Sequence, residues 1–343
     1  MIEFGSDFHK CDDNFKGSSI LFDKIGNANL YSCGRHAIQA IISQEKWKRI
    51  WMPAYFCYTV IEFIKNLGIE VIFYNDHPLS NNDNIVVRQL PYKNGDVLFR
   101  TDYFGLRDFR SNKGISVPVI EDHTHGLITD WCLNSDADWC VASLRKILPI
   151  ASGGVLWSPK KLPIPQSITS TEECENMASL RYDAMSLKKN YLVNGGNKEN
   201  FRIKYINTEE QIDNLNFSGI DDVSKNISEN LDIKKWTENK LNNWNNAVEI
   251  LSDNIQIIGV EKKCSQAFSL VLLAKSKEER EKLRNYLIQN SVYPAILWKM
   301  PEDTTFTDAK DFSDRMLSIH CDARYDNSDI KQLCNIINGF YNK

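Results

Sequence analysis

The stretch Asp138-Trp139-Cys140-Val141-Ala142-Ser143-Leu144-Arg145-Lys146-Ile147-Leu148-Pro149 decides the reading of this chain. Trp139 to Ala142 reads as a short buried strand. A polar loop with Ser143, Arg145 and Lys146 follows, then Ser152-Gly153-Gly154 and a second apolar strand, Val155 to Trp157. A hydroxyl three positions before a lysine puts both at the mouth of a sheet. There the amine can leave water and reach a buried carbonyl, which suits a Schiff-base lysine. For a lone lysine the plainer reading, a surface residue in a turn, prevails. Three other stretches change the balance.

Upstream, Ser116 to Ile120 reads as a β-branched strand running into Glu121-Asp122-His123-Thr124-His125-Gly126. Open α/β sheets place their ligands at such strand ends. A helix N-cap at Asp122 is the alternative. His123 and His125 lack two further ligands at a usual spacing, so no metal site is expected. Ser32-Cys33-Gly34-Arg35-His36-Ala37 starts a helix with Ile38, Ile41 and Ile42 on one face. A glycine there lets backbone N–H groups approach an anion, and the helix dipole favours a phosphate. Next come a strand at Arg49 to Met52, a helix from Tyr55 to Asn66 stopped by Gly68, and a strand at Ile69 to Tyr74. Asn81 to Asn84 reads as a turn-rich loop, and Asp96 to Thr101 as a strand ending at Tyr103-Phe104-Gly105. This alternation predicts a parallel sheet covered by helices.

The first 30 residues read as an irregular strap, with Gly5 to His9 as a loop over a site as the other option. Pro159 to Tyr205 is polar and locally basic, and reads either as a lid or interface segment or as a solvated connector. The remainder predicts a smaller α/β domain. It has a helical stretch over Asp221 to Leu251, strands at Ile255 to Val260, Phe268 to Leu273, Val292 to Trp298 and Leu317 to Ile319, and helices at Lys277 to Gln289 and Ile330 to Phe340. The division predicted is a large domain over 1–205 and a small one over 206–343.

With 343 residues the chain can bury two cores, and its net charge of −4 gives no sign of nucleic-acid binding. No apolar run is long enough for a membrane span, and the start has no signal-peptide pattern. Nine cysteines without a C-x-x-C pair read as reduced thiols in a cytoplasmic protein.

Taken in order, these stretches resemble the pyridoxal-phosphate aminotransferases of fold type I, and within them the DegT/DnrJ/EryC1/StrS branch that aminates nucleotide-linked keto-sugars. Cys33-Gly34-Arg35-His36-Ala37-Ile38 resembles its phosphate turn, Met52-Pro53-Ala54-Tyr55 its Val-Pro-Ser-Phe segment, and Tyr103-Phe104-Gly105 its aromatic-Gly strand end. Ile120-Glu121-Asp122 through His125 resembles Ile-Glu-Asp-x-x-Gln/His, and Ser143 through Lys146 with Gly153-Gly154 resembles Ser-x-x-Lys followed by Gly-Gly. Leu317 through Tyr325 resembles a late Leu-Pro-x-Asp-x-Arg-Tyr element.

The resemblance implies a large domain with a mainly parallel, seven-stranded-type sheet plus a smaller C-terminal α/β domain. It implies pyridoxal 5'-phosphate, with Lys146 forming the aldimine and Asp122 keeping the pyridine nitrogen protonated. Gly34, Arg35 and Ser143 would hold the phosphate and His125 the ring hydroxyl. The family often stacks a Phe where this chain has Cys57, so Tyr58 or Tyr55 is expected to stack instead. Tyr55, Tyr103 and Arg324 are expected at the substrate. The donor is expected to be an amino acid, glutamate by resemblance, and the acceptor a keto-sugar of polysaccharide biosynthesis. A homodimer is expected, crossed by Arg181 to Lys204, with Gly195-Gly196-Asn197 nearest to the family's crossing motif. The alternatives are a pyridoxal-phosphate enzyme for an amino-acid-like substrate and a non-catalytic protein that keeps the fold.

Overall fold

The computed structural model describes residues 2–5, 7–11, 15–17, 20–251, 255–260 and 266–342. Its strands are β1 (Phe4–Gly5), β2 (Ala28–Tyr31), β3 (Arg49–Pro53), β4 (Glu70–Tyr74), β5 (Asp96–Thr101), β6 (Val119–Asp122), β7 (Trp139–Ser143), β8 (Gly154–Trp157), β9 (Gln256–Ile257), β10 (Leu270–Leu273), β11 (Val292–Tyr293) and β12 (Met316–Ile319). The helices are α1 (Phe22–Ile25), α2 (Gly34–Glu45), α3 (Tyr58–Asn66), α4 (Asp83–Gln89), α5 (Asp130–Leu133), α6 (Glu172–Asn194), α7 (Glu199–Asn214), α8 (Asp222–Asn230), α9 (Ile233–Ile250), α10 (Lys277–Gln289), α11 (Thr307–Arg315) and α12 (Asn327–Tyr341). The fold is α/β. Its sheet has the seven strands expected, β2, β8 and β7 in one compact unit and β6, β5, β3 and β4 in the other.

The first unit comprises Met1–Ile2, Asp7–Glu45 and Trp139–Trp236. Here β8 runs antiparallel to both β2 and β7. All five residues of β7 are buried, as a strand covered on both faces requires. Against it lies α2, which buries Ala37, Ile38, Ile41 and Ile42 at helical spacing.

The segment expected as a lid or interface segment or as a connector forms, from Glu172 onward, the long helix pair α6 and α7. The buried face of α6 is Cys174, Met177, Ala178, Arg181, Ala184, Met185 and Lys188, a regular 3–4 spacing. Two charges inside the stripe hide it from a hydropathy reading. Both are satisfied by the strap: Arg181 donates to Asp7 Oδ1 (3.0 Å) and Lys188 to the Asp7 carbonyl (2.7 Å). Thr171 caps α6 by accepting from the Cys174 N–H, and the helix ends at Gly195, whose φ of 74° only glycine adopts freely.

The second unit comprises Glu3–Ser6, Lys46–Asp138 and Thr237–Lys343. Strands β4, β3, β5 and β6 are parallel neighbours, so the parallel part of the sheet sits here. An antiparallel trio, β12-β10-β9, carries the smaller sheet. The strap's β1 pairs parallel with β11.

Several boundaries differ from expectation. Asn81 to Asn84 leads into α4, because Asp83 is buried beneath Arg100 (3.0 Å) rather than turned to water. The α3 helix begins at Tyr58, since Cys57 before it is extended. The stretch over Asp221 to Leu251 is two helices, broken where Leu231 is extended. Of the strand expected over Val292 to Trp298, only β11 forms. The eight cysteines among the described residues form no disulfide.

Ion pairing fastens the loop after β7 to α7. Arg145 donates to both carboxylate oxygens of Glu209 (2.8 and 3.0 Å), and Arg181 reaches the same carboxylate at 2.7 Å. Burial alone would raise the Glu209 pKa, but the two guanidinium groups hold it down at about 2, from an ordinary 4.5. A depressed carboxylate stabilises the fold above its unfolded pKa and loses that effect as pH falls through the folded one. Glu209→Gln is therefore expected to cost about 1 kcal/mol above pH 5, a figure discounted because the carboxylate partly meets water. Thermal unfolding of both proteins should show this gap shrinking below pH 4.5 and closing near pH 2; a gap independent of pH would refute the assignment.

Candidate active site

In the first unit the expected phosphate turn and the expected lysine come together. Gly34 opens α2, and a β-carbon added to it would lie 3.2 Å from Ser143 Cβ. A β-carbon on Gly154 would collide with the Cys33 carbonyl oxygen. The Gly153 N–H donates to the Ser32 carbonyl (2.6 Å). Two glycines and a serine thus bring the helix start against the end of β7. Backbone N–H groups at a helix start and a neighbouring hydroxyl form an anion cradle.

The helix start is held from behind by His36, which the sequence reading had not singled out. Its Nε2 lies 3.1 Å from the Leu215 carbonyl, and its Nδ1 lies 2.6 Å from Ser32 Oγ and 3.3 Å from the Ser218 N–H. Burial pushes its pKa down to about 4, against carbonyl contact with Leu215 that raises it. The ring is neutral at physiological pH, with Nε2 donating to Leu215 and Nδ1 accepting from Ser218. Arg35 turns away: its guanidinium donates to the Ile212 carbonyl (3.0 Å) and pairs with Asp213 (2.7 Å). What Arg35 can offer the cradle is its backbone.

Lys146 ends a single 3-10 turn, Leu144–Lys146, directly after β7. It is half-buried, while Ser143 and Leu144 before it and Ile147 after it are buried. The Leu144 N–H donates to the Gly153 carbonyl (2.9 Å), and the Trp236 indole donates to the Ile147 carbonyl (3.0 Å). With Arg145 held by Glu209, the turn is fixed on both sides of the lysine.

The second unit holds the expected carboxylate and imidazole. Asp122 ends β6, buried, with Oδ1 accepting from the Thr124 N–H (2.8 Å) and its carbonyl accepting from the Asp102 N–H (3.0 Å). His125 lies in an aromatic stack with Phe268 (4.0 Å between centroids), Trp298 (5.2 Å) and Phe104 (5.3 Å). Its Nδ1 lies 3.4 Å from the Phe104 N–H. Phe104 sits at φ 58°, an uncommon conformation for a side chain of its size.

Tyr55 is fully buried. Its hydroxyl donates to the Leu297 carbonyl, and its ring meets Tyr103 edge-on at 5.6 Å. Tyr103 is buried too, donating to the Tyr55 carbonyl (2.6 Å) beneath the Arg107 guanidinium. Both serve the core of this unit. Tyr58 is only half-buried and is the more available of the two tyrosines considered for stacking. The fork of Arg324 is filled by Asp322, with Nε to Oδ1 at 2.8 Å and Nη2 to Oδ2 at 2.9 Å. Sequence alone could not foresee that a carboxylate two positions away would occupy it.

No protein-family model matches the sequence, and no curated protein sequence matches it. Solved structures do share its fold. Spr1654 from Streptococcus pneumoniae, in its PLP form, superposes with a TM-score of 0.62 at 11% identity, covering 93% of this chain and 88% of that one. A DegT DnrJ EryC1 StrS aminotransferase from Brucella abortus gives 0.62 at 14% identity, covering 94% and 88%. DesI, solved in the presence of its TDP-sugar product, gives 0.63 at 12% identity, covering 92% and 81%. The fold is that of the pyridoxal-phosphate-dependent aminotransferases.

The cradle depends on Gly154 having no side chain. Gly154→Ala should cost about 3 kcal/mol, the scale of forced overpacking, visible as a large drop in melting temperature. Gly34→Ala, with 3.2 Å available to its new carbon, should cost less. Equal melting temperatures for Gly154→Ala and the parent would refute the close approach.

Proposed function

We propose that this chain is a pyridoxal-phosphate-dependent aminotransferase that moves an amino group from an amino acid, glutamate by resemblance, to a nucleotide-linked keto-sugar. The observation that carries the reading is the half-buried Lys146 three residues after Ser143, itself packed at the glycine start of α2. The shared fold supports it, as do the PLP form of Spr1654 and the TDP-sugar product in whose presence DesI was solved. Fold alone would not license the function; the residue set adds the chemistry.

By residue type the set suits the cofactor. Ser143 and the backbone of Gly34 and Arg35 would hold its phosphate. Lys146 would hold its carbonyl carbon, Asp122 its ring nitrogen and His125 its ring hydroxyl, with Tyr58 as the stacking ring. Bound there, pyridoxal phosphate would supply an electron sink for the carbon that loses its proton. The Lys146 amine would carry that proton away from the donor's α-carbon and later deliver one to the sugar carbon. Asp122 would hold a proton on the ring nitrogen, because a buried carboxylate favours a cation against it. One lysine serving both substrates at one face requires that they bind in turn, so parallel double-reciprocal plots are expected.

A homodimer belongs to this reading, since a two-fold axis is the commonest closure. The α6–α7 hairpin, with Val193 and Ile203 exposed, is the segment proposed to cross it. A cytoplasmic location is proposed with it; no helix among the described residues is long and apolar enough to cross a membrane.

Purified protein reconstituted with pyridoxal phosphate should be yellow, and borohydride should fix the cofactor on the peptide containing Lys146. Lys146→Ala should lose turnover at least about 10³-fold, and Asp122→Asn about 10²-fold or more with the fold intact. Full turnover by Lys146→Ala would overturn the reading.

A further inference from the structure

Lys240, on α9 in the second unit, is a buried cation that the proposed chemistry does not use. It is 8% exposed, and among the described residues it makes no hydrogen bond and no ion pair within 4 Å. Its ammonium lies over the Phe268 ring, 5.1 Å from the centroid. The charged neighbour it feels is Asp322, which already binds Arg324 through both oxygens. Burial would raise the Asp322 pKa, but Arg324 pulls it well below the carboxylate range. Cys321 beside it is a neutral thiol, pushed up to about 12 by burial. His320 faces the same carboxylate at 4.0 Å.

The carboxylate that Lys240 feels is already held by Arg324 through both oxygens. Burial lowers the Lys240 pKa to about 8 from 10.5, opposed by the pull of Asp322. At neutral pH it is still mostly protonated. A buried cation with no partner of its own is costly, and an incoming anion relieves the cost. A single ammonium with no anion of its own matches a carboxylate. A phosphoryl group carries about −1.5 to −2 and calls for more donors than the one amine that Lys240 brings from the middle of α9. Phe268 also stacks on His125 at 4.0 Å, so a single ring separates Lys240 from the imidazole that follows Asp122.

We propose that Lys240 binds a carboxylate of the acidic amino donor, an inference that rests on the aminotransferase reading above. The Lys240 ammonium then has an anion against it while donor or its keto acid is bound.

Glutarate, which has both carboxylates and no reacting group, is the probe, with neutral glutaramide as control. In the protein as purified, trace acetylation by sulfo-N-hydroxysuccinimidyl acetate, read peptide by peptide by mass spectrometry, reports the Lys240 amine. Its rate should level off above about pH 8, and saturating glutarate should slow it at least fivefold while glutaramide does not. By calorimetry, Lys240→Gln should bind glutarate at least tenfold more weakly, and Lys240→Arg should recover part of the loss. Failure of glutarate to bind or to protect, equal affinity in Lys240→Gln, or equal protection by UDP-glucose would each overturn the proposal. The borohydride experiment at Lys146 tests the parent reading separately: trapping there without protection at Lys240 removes this inference alone.

Discussion

The absence of a side chain at Gly154 is the constraint on which the first unit depends. Where most strand residues carry a side chain, this strand accepts the Cys33 carbonyl and the first residue of a helix. Every later feature of that unit follows from the close approach. Ser143 meets Gly34 because β7 is fixed to β8 in antiparallel register, Ser143 opposite Gly154. The 3-10 turn bearing Lys146 is fixed because Leu144 binds back to Gly153. The second unit uses the same device at another strand end. A β-carbon on Gly126 would strike the Asp102 carboxylate, and one on Gly105 would lie 2.8 Å from the His125 carbonyl. Tight backbone contact, not side-chain bulk, positions the polar groups in both places.

Much of this was legible in the sequence, for a physical reason. Strands β7 and β8 are short and apolar, and the glycines between them have no competing explanation. Helix α10 reads to its ends, Lys277 to Gln289, from Leu283 and Leu287 four apart, and in the structure Ser276 caps it. Asp122 was read at a strand end, and it is one. What escaped were elements whose buried face is charged. Arg181 and Lys188 lie inside the stripe of α6 and are paired with the strap from about 170 positions away. Asp83 is buried under Arg100 for the same reason. A pattern reading assigns charges to solvent, so it turns such helices into loops. The partners lie too far along the chain to correct it.

The same limit governed the choice of arginine. Arg324 looked like a carboxylate clamp because a guanidinium fork suits one. In the folded chain its fork is closed on Asp322, two residues earlier, so it acts as an internal tie. The effect passes to its surroundings. A carboxylate held by its own arginine through both oxygens is not free to pair with Lys240, which stays on α9 without a bonded anion among the described residues. No local motif marks that lysine. It sits in a polar run, Thr237-Glu238-Asn239-Lys240, where a solvated helix face is the natural reading.

Electrostatics in the two units therefore follows opposite designs. Around Glu209, two arginines meet a carboxylate that keeps contact with water, and Arg181 has a second carboxylate in Asp7. Around Asp322 the carboxylate is sealed at 1% exposed and closed on Arg324, while the buried Lys240 nearby has no bonded anion among the described residues. The first arrangement is static: it ties the Lys146 turn to α7 and needs nothing further. The second is incomplete in energetic terms, because an unscreened buried charge interacts strongly with whatever anion arrives. A fold that closes Arg324 on its own carboxylate and leaves Lys240 without one keeps structural ion pairing apart from the anion site proposed for that lysine.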